Sequence, residues 1–578
     1  MQLLQHFKEL TVNPKNAQEL KGLILQLAIQ GKLTANWRTE NPNIEPASEL
    51  LQKTLKKKEE QSKNQKKKKE RALPSLTEDE TPFGIARTWV WTRLGEVGTT
   101  NVGLTYKPAH KNDSGVPVLR SSNVQEGELC LKDLVRVNTD YREKDIIKEG
   151  DLLICARNGS RRLVGKCTII GQIDEIMVFG AFMAIFRSDF NPYLQLFIQS
   201  PQYRSKLDGV ETTTINQITQ GNLKATAVPL PPLEEQKEIV KVVATLFKEV
   251  EQLEQLTLER IALKEDFVIS ALNQLTTNNT KQEWTFLQDH FKSFFNQTTN
   301  IKKLRETVLQ LAVQGKLTAD WRSRHPELVS GSHHASELLK SIQEEKTQLI
   351  SDKKIKKEKS LPKITKEEIP HELPEGWVWC RLQDLVNVGT GSTPATSNSS
   401  YYGGEIPWYT SSATNDLFAK ESEKLITEKA LKETNCKVFP KETLIIAMYG
   451  QGKTRGQISE LVIPGATNQA VAAMVFYKTS KDFKEYIKYF FRKIYDEIRL
   501  LAEGGAQPNL NVGKIKNTIL PLPPLEEQKA IVQKVNGLMG FCDKLELEVQ
   551  QSQKQSEQLM QSVLREVFEK KKAFKYEV

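Results

Sequence analysis

Self-similarity is the strongest constraint this sequence places on its own fold, because a chain written twice must build two like units. LILQLAIQGKLTANWR at 23–38 returns as TVLQLAVQGKLTADWR at 307–322, with twelve of sixteen positions identical. At the same offset of 284, His6-Phe7-Lys8 aligns with His290-Phe291-Lys292. ASELL at 47–51 recurs at 335–339, Leu73-Pro74 at Leu361-Pro362, and Trp89-Val90-Trp91 at Trp377-Val378-Trp379, all at offset 288. PLPPLEEQK at 229–237 is unchanged at 521–529. Residues 95–222 and 383–514 share only a faint framework, so two variable modules sit in one repeated scaffold. That plan suits a protein holding two different readers at a set separation.

The scaffold reads as helical. After the second PLPPLEEQK, Ile531, Val535, Leu538, Cys542, Leu545 and Val549 step by 4 and 3 alternately; Ile239, Val243, Leu246, Val250, Leu253 and Thr257 do the same in the first copy. Such heptads predict long helices paired in a coiled coil. Both seams turn polar at one place, Thr257, Arg260 and Lys264 against Val549, Ser552 and Ser556, then recover at Phe267 and Ala271 and at Leu559 and Val563. The prolines of PLPPL pre-order an extended approach, and Glu234-Glu235 and Glu526-Glu527 fall where a helix N-terminus favours carboxylates. A helix of about 40 residues rises roughly 60 Å, close to two turns of B-DNA at about 34 Å each. Leu20 to Gln30 and Leu304 to Gln314 have helical spacing and stop at Gly31 and Gly315, a C-cap signal. With the first such block at the N-terminus and the last long helix at the C-terminus, the two ends are expected to meet in a cyclic, pseudo-two-fold arrangement. The expected divisions are 1–72, 73–228, 229–300, 301–360, 361–520 and 521–578.

Lys plus Arg is 82 against 72 for Asp plus Glu, a net charge of +10 that favours a polyanionic partner. The run from Lys53 to Arg71 reads either as a solvated helix face or as non-specific phosphate contact. Six scattered cysteines without a CxxC argue for reduced thiols and against a zinc site. No apolar stretch reaches the roughly 20 residues that span a bilayer, and the first residues are too polar for a secretory signal. A soluble cytoplasmic protein is expected.

Each module opens on Trp-Val-Trp and runs through loops rich in Gly, Ser, Thr and Asn. In the first, Lys107, then Arg120, Ser121, Ser122 and Asn123, then Arg157, Asn158, Arg161, Arg162 and Lys166 are candidates for DNA contact. In the second they are Thr410, Ser411 and Ser412, then Tyr449, Gln451, Lys453 and Arg455. DLLICARNG at 151–159 is matched to ETLIIAMYG at 442–450 at offset 291, an apolar strand entering a glycine turn. A third loop supplies Thr213 and Asn216 against Gln507 and Asn509. Arg reaches guanine, Asn and Gln reach adenine, and Lys reaches phosphate; exposed turns are also polar for no functional reason. The loops differ between modules, which implies an asymmetric target.

AMYGQGKT at 447–454 nearly spells a phosphate-binding loop, but Ala447 replaces the first glycine and RGQISELVI reads as a strand, not the helix that would hold phosphate. No Asn- or Asp-Pro-Pro-aromatic tetrad for amino-methyl transfer appears. No catalytic cluster stands out.

The duplicated PLPPLEEQKxIV with its heptad helix, the QGKLTxxW block, and dissimilar modules opening at TWVW and GWVW together resemble the specificity subunit of a type I restriction-modification system. The resemblance covers essentially the whole chain. It implies an α+β fold with two α/β target recognition domains separated by long antiparallel coiled-coil helices. It further implies a non-catalytic reader of a bipartite double-stranded DNA site. Its partners would be two modification subunits bringing S-adenosylmethionine and restriction subunits using ATP and Mg, with no cofactor on this chain. Two other readings stand beside it: a duplicated coiled-coil adaptor that binds proteins, and a nucleotide hydrolase at Lys453.

Overall fold

Both copies of the repeat close their variable module with the same pair of strands. In the computed structural model, which describes residues 16–64, 73–208, 216–277, 285, 289–422, 424–450, 453–478, 480–503 and 510–569, Val90–Arg93 pairs antiparallel with Ala227–Leu230 and Val378–Arg381 with Ile519–Leu522. Trp91 lies opposite Pro229, and Trp379 opposite Pro521. The Trp-Val-Trp and PLPP motifs are thus the two ends of one ribbon. Proline is tolerated there because a two-stranded ribbon consists only of edges. His6-Phe7-Lys8 and the lysines at 66–69 lie outside the described residues.

The chain is α+β and divides into two units, residues 1–261 with 553–578 and residues 262–552. Two 45-residue helices, Leu233–Thr277 and Leu525–Glu569, each begin in one unit and end in the other. In the first unit the helix Asn16–Ile29 packs Ala17, Leu20 and Leu23 against Val250 of one long helix and Met560 of the other. The N-terminal block and the end of the last helix do meet. In the second unit the helix Thr298–Val313 places Ile301 and Leu304 in one cluster with Val268, Leu272 and Leu275 and with Cys542, Leu545 and Val549.

The helical seams follow the expected heptads at Ile239, Val243, Val250 and Thr257 and at Ile531, Val535, Cys542, Leu545 and Val549, all buried. Beyond Thr257 the expectation is corrected. Val268 is fully buried while Phe267 is 40% exposed, stacked on Phe294 at 4.8 Å. The buried line slips by one residue because the step after Thr257 is four rather than three, a stutter that rotates the seam. On the other helix Met560 is buried and Leu559 only partly so.

Each module also holds two larger sheets. The first module's are a four-stranded sheet ordered Thr99–Val102, Met183–Arg187, Leu152–Cys155, Cys167–Ile169, and a three-stranded one ordered Val178–Phe179, Lys111–Leu119, Val135–Val137. In the second module a five-stranded sheet is centred on Leu444–Ala447 and a four-stranded sheet contains Tyr402–Tyr409. Tyr193 on the covering helix Asn191–Gln199 donates its hydroxyl to the Pro229 carbonyl at 2.6 Å, and Tyr486 does the same to Pro521 at 2.7 Å.

One buried carboxylate joins the three repeated motifs in each unit. Glu235, fully buried, accepts from the Trp89 indole N–H at 2.8 Å, the Thr34 hydroxyl at 2.7 Å and the Arg38 guanidinium at 2.8 Å. Glu527 accepts from Trp377 at 2.7 Å, Thr318 at 2.6 Å and Arg322. Gly31 and Gly315 both have φ of +68°, and a Cβ on either would meet the indole of Trp89 or Trp377 at about 3 Å. The next residue of the motif is also used, for Gln236 donates to the Pro231 carbonyl and Gln528 to that of Pro523. Glu234, whose side chain is 61% exposed, pairs with Lys237.

A second tie lies at the opening strand. Arg93, almost fully buried, pairs with Glu80 at 2.8 Å and donates to the Pro74 and Ser75 carbonyls; Arg381 repeats this with Glu368 and Pro362. Part of the lysine run is engaged as well, Lys57 with Asp189 at 3.1 Å and Lys58 with the Gly98 carbonyl at 3.0 Å.

Removing one partner of a buried, hydrogen-bonded ion pair strands the other, at a cost of about 3–5 kcal/mol. Glu235→Ala should therefore destabilise the first unit, and Glu527→Ala the second, by that much in urea unfolding. A loss below about 1 kcal/mol would show that the carboxylates are not the tie. The Arg93 guanidinium holds the Glu80 carboxyl down to about 2 from an ordinary 4.5. A depressed folded value gives stability that is present above the ordinary value and is lost as pH falls toward the folded one. The Tm gap between the natural chain and Glu80→Gln should thus shrink from about pH 5 to about pH 3, and a constant gap would contradict the pairing.

Candidate nucleic-acid interface

Three of the first module's loops converge. The turn Ser121–Asn123 follows the strand Lys111–Leu119, and the Asn158 amide donates to the Ser121 hydroxyl at 3.3 Å. Arg157 and Asn158 pair antiparallel with Gln217 and Asn216, and the Ile218 amide donates to the Ala156 carbonyl at 2.7 Å. Arg157, Asn158, Ser121, Ser122 and the backbone of Asn216 thereby fall on one patch, while Thr213 lies outside the described residues. Arg120 is half-buried, with one guanidinium N–H toward the Asp133 carbonyl at 3.4 Å. Lys107 is exposed and precedes the turn Pro108–His110.

The remaining first-module candidates are placed otherwise. Arg161 and Arg162 are exposed, but Arg161 donates to the Leu207 carbonyl and lines a cavity of about 390 Å³ that also includes Asp79, Glu80 and Lys206. Lys166 is half-buried and gives its carbonyl to the Cys155 amide. Asn123 is a correction. It is 1% exposed, its side-chain oxygen accepts from the Arg120 amide, and its NH₂ donates to the Cys130 carbonyl at 3.0 Å. It holds the loop's shape from inside and offers nothing outward.

In the second module the turn Ser411–Asn415 occupies the same place after its strand. Thr410 and Ser412 share a hydrogen bond of 2.8 Å, and the Ser411 carbonyl accepts from Thr414. Thr454 donates to Asn415 at 3.3 Å, which brings the turn carrying Lys453 and Arg455 to this patch. Lys453 is exposed, with its carbonyl accepting from the Tyr495 hydroxyl, and Arg455 is half-buried. Gln451, Gln507 and Asn509 lie outside the described residues. The strand Leu444–Ala447 returns as Ile458–Leu461, paired Ile446 to Ile458. A hairpin therefore follows Lys453, not the strand-to-helix passage of a phosphate-binding loop.

The correspondence between the modules is shifted by one residue from the expected offset. Gly150 and Glu442 both have positive φ, 83° and 69°, and each precedes its strand by the same interval. Cys155 lies opposite Met183, and Ala447 opposite Val471. Arg157 therefore corresponds to Tyr449 and Phe182 to Ala470. Sequence matching slipped because glycine turns attracted one another. Phe182 is 58% exposed, with the Arg157 guanidinium 5.2 Å from its ring centroid; in the sequence, a lone Phe after Gly-Ala carries no signal of this.

Beside the second patch, burial alone would raise the Glu460 carboxyl, but Lys484 and Lys488 hold it below the ordinary range, at 2.7 and 2.9 Å. The cluster fixes the Ile458–Leu461 strand to the helix Lys481–Lys493. Among the described residues there is no group of three or more His, Cys, Asp or Glu that would hold a metal ion. Nor is any helix among them long and apolar enough to cross a membrane.

With this geometry in place, comparison with known proteins gives the family. The model of the type I restriction modification DNA specificity domain matches twice, at residues 86–261 and 374–553. The chain belongs to this family. Both matches contain a strand pair, a variable module, a buried glutamate and the first part of a long helix. The specificity subunit of the Escherichia coli type I restriction enzyme EcoAI is 28% identical, over 91% of this chain and 90% of its own. That of EcoEI, also from Escherichia coli, is 28% identical over 93% and 91%. A solved chain described in terms of complex assembly and conformational transition of the type I R-M system covers 86% of this chain and 99% of itself, at 16% identity and a TM-score of 0.48.

Asn123→Ala would leave the Cys130 carbonyl without its donor, a loss of about 1–3 kcal/mol. Ser122→Ala, at an exposed position, should stay within about 0.5 kcal/mol. Thermal unfolding of the two variants checks this, and equal effects would contradict the inward role of Asn123.

Proposed function

We propose that this chain is the DNA-reading specificity component of a type I restriction-modification complex. Each module reads one half of an asymmetric, bipartite double-stranded site. The long helices space the modules and dock two modification subunits, and restriction subunits join through that assembly. The chain carries out no chemistry itself: methyl transfer with S-adenosylmethionine and ATP-driven translocation with Mg belong to the partners, and this chain binds no cofactor.

The observation that carries the reading is the contrast between frame and loops. The same glutamate, tryptophan, threonine and arginine recur in both units, while the outward loops present Arg157 and Asn158 in one module and Tyr449 and Lys453 in the other. An adaptor built to bind one protein twice would keep its loops alike. The hydrolase reading loses its motif to the hairpin at Lys453.

The test is retention of a randomised duplex library by the purified chain with its modification partner. Two short, different motifs at a fixed gap are expected. Affinity should fall linearly in log–log form with salt between about 50 and about 200 mM, because phosphate contacts release counterions. Retention without a common motif, or affinity indifferent to salt, would return the chain to the adaptor reading.

A further inference from the structure

Resting on the DNA-reading proposal, we infer that Arg157 and Phe182 form the base-reading pair of the first module, and that they take a guanine with a thymine at the adjacent base pair. Phe182 stands on a turn tied on every side. Its carbonyl accepts from the Ala156 and Arg157 amides, both at 2.9 Å, and the Met183 amide closes the turn onto Gly180 at 2.8 Å. Gly180 and Ala181 donate in turn to Leu119 and Leu104. The backbone is pinned while the ring is 58% exposed. An aromatic presented on a fixed backbone at a contact surface loses little entropy on binding.

The cation beside it narrows the ligand. The Arg157 guanidinium lies 5.2 Å from the ring centroid, and no acceptor among the described residues takes its side-chain N–H groups. A planar fork of donors matches guanine O6 and N7, and an apolar ring matches the thymine methyl. Successive bases are about 3.4 Å apart along a strand, so groups this close to one another address neighbouring base pairs. A phosphate would satisfy Arg157 but gives Phe182 nothing. The Asn158–Ser121 hydrogen bond lies next to the pair and supplies a polar border.

The second module keeps the turn and changes the readers. There the Met448 and Tyr449 amides both approach the Ala470 carbonyl, at 2.8 and 3.4 Å. Tyr449, 37% exposed, replaces the arginine, and Ala470 removes the ring. One structural position thus offers a charged fork and an apolar face in one module and a phenol in the other, so the two half-sites must differ there.

The experiment uses the full chain and the duplex recovered from the library. One half-motif is expected to contain adjacent guanine and thymine. Replacing that thymine by deoxyuridine, which removes only the methyl, should weaken binding about fourfold, and Phe182→Ala should be indifferent to the replacement. Arg157→Ala should lose about 10- to 100-fold on the guanine-containing duplex while the other half-motif is still selected. The inference is overturned by a deoxyuridine duplex that binds the unaltered chain as well as thymine does, a result independent of whether any variant folds. It is equally overturned by an Arg157→Ala chain weakened alike on all sequences with a shallower salt slope, the mark of a phosphate contact. Failure of the unaltered chain to select any motif would instead overturn the DNA-reading proposal.

Discussion

Two buried carboxylates, Glu235 and Glu527, tie the repeated motifs together in each unit. A charge removed from water is costly unless it is paired and fully hydrogen-bonded. Here each receives an arginine, a threonine hydroxyl and an indole N–H. The donors come from the helical block and from the residue just before the opening strand, and the acceptor from the first turn of a long helix. Losing the carboxylate would strand its donors, and losing the arginine would leave a buried charge unpaired, so the three segments are required together. That is a physical reason for QGKLTxxWR, Trp-Val-Trp and PLPPLEEQ to recur as a set.

The frame leaves the modules free to differ. Each module hangs from a strand pair and a tyrosine hydroxyl on a proline carbonyl, and neither tie involves the outward loops. Asn123 holds a loop of the first module from within, and the Glu460–Lys484–Lys488 cluster ties a strand of the second to a helix. A change of reading residue on such a surface leaves the scaffold undisturbed. The division of labour is between the buried, hydrogen-bonded carboxylates of the frame and the polar groups of the surface loops.

Much of this was legible in the sequence. Helical periodicity, the glycine stops at Gly31 and Gly315, and the two-strand character of the segment around Lys453 follow from local rules, and the structure agrees with them. What was not legible depends on contacts between distant residues. Glu235 reads as a helix N-terminal carboxylate, the role that fits Glu234 better, because no local rule says which of two glutamates turns inward. The seam after Thr257 slips to Val268 because polar residues mask the phase there. Asn123 looked like a reader because a turn asparagine has the same signature whether it faces in or out. The shift of one residue between the hairpins, and with it the equivalence of Arg157 and Tyr449, became visible only through strand pairing.

If one repeated frame holds two interchangeable readers, a chain that carries the same reader twice should read the same half-site twice. Residues 383–514 would replace residues 95–222, leaving both glutamate ties and both strand pairs in place, and the target of the resulting chain would be determined by selection from random duplexes. The half-site of the second module should be recovered twice, at the original gap. Recovery of the original asymmetric site, or of a single half-site from a folded chain, would contradict it.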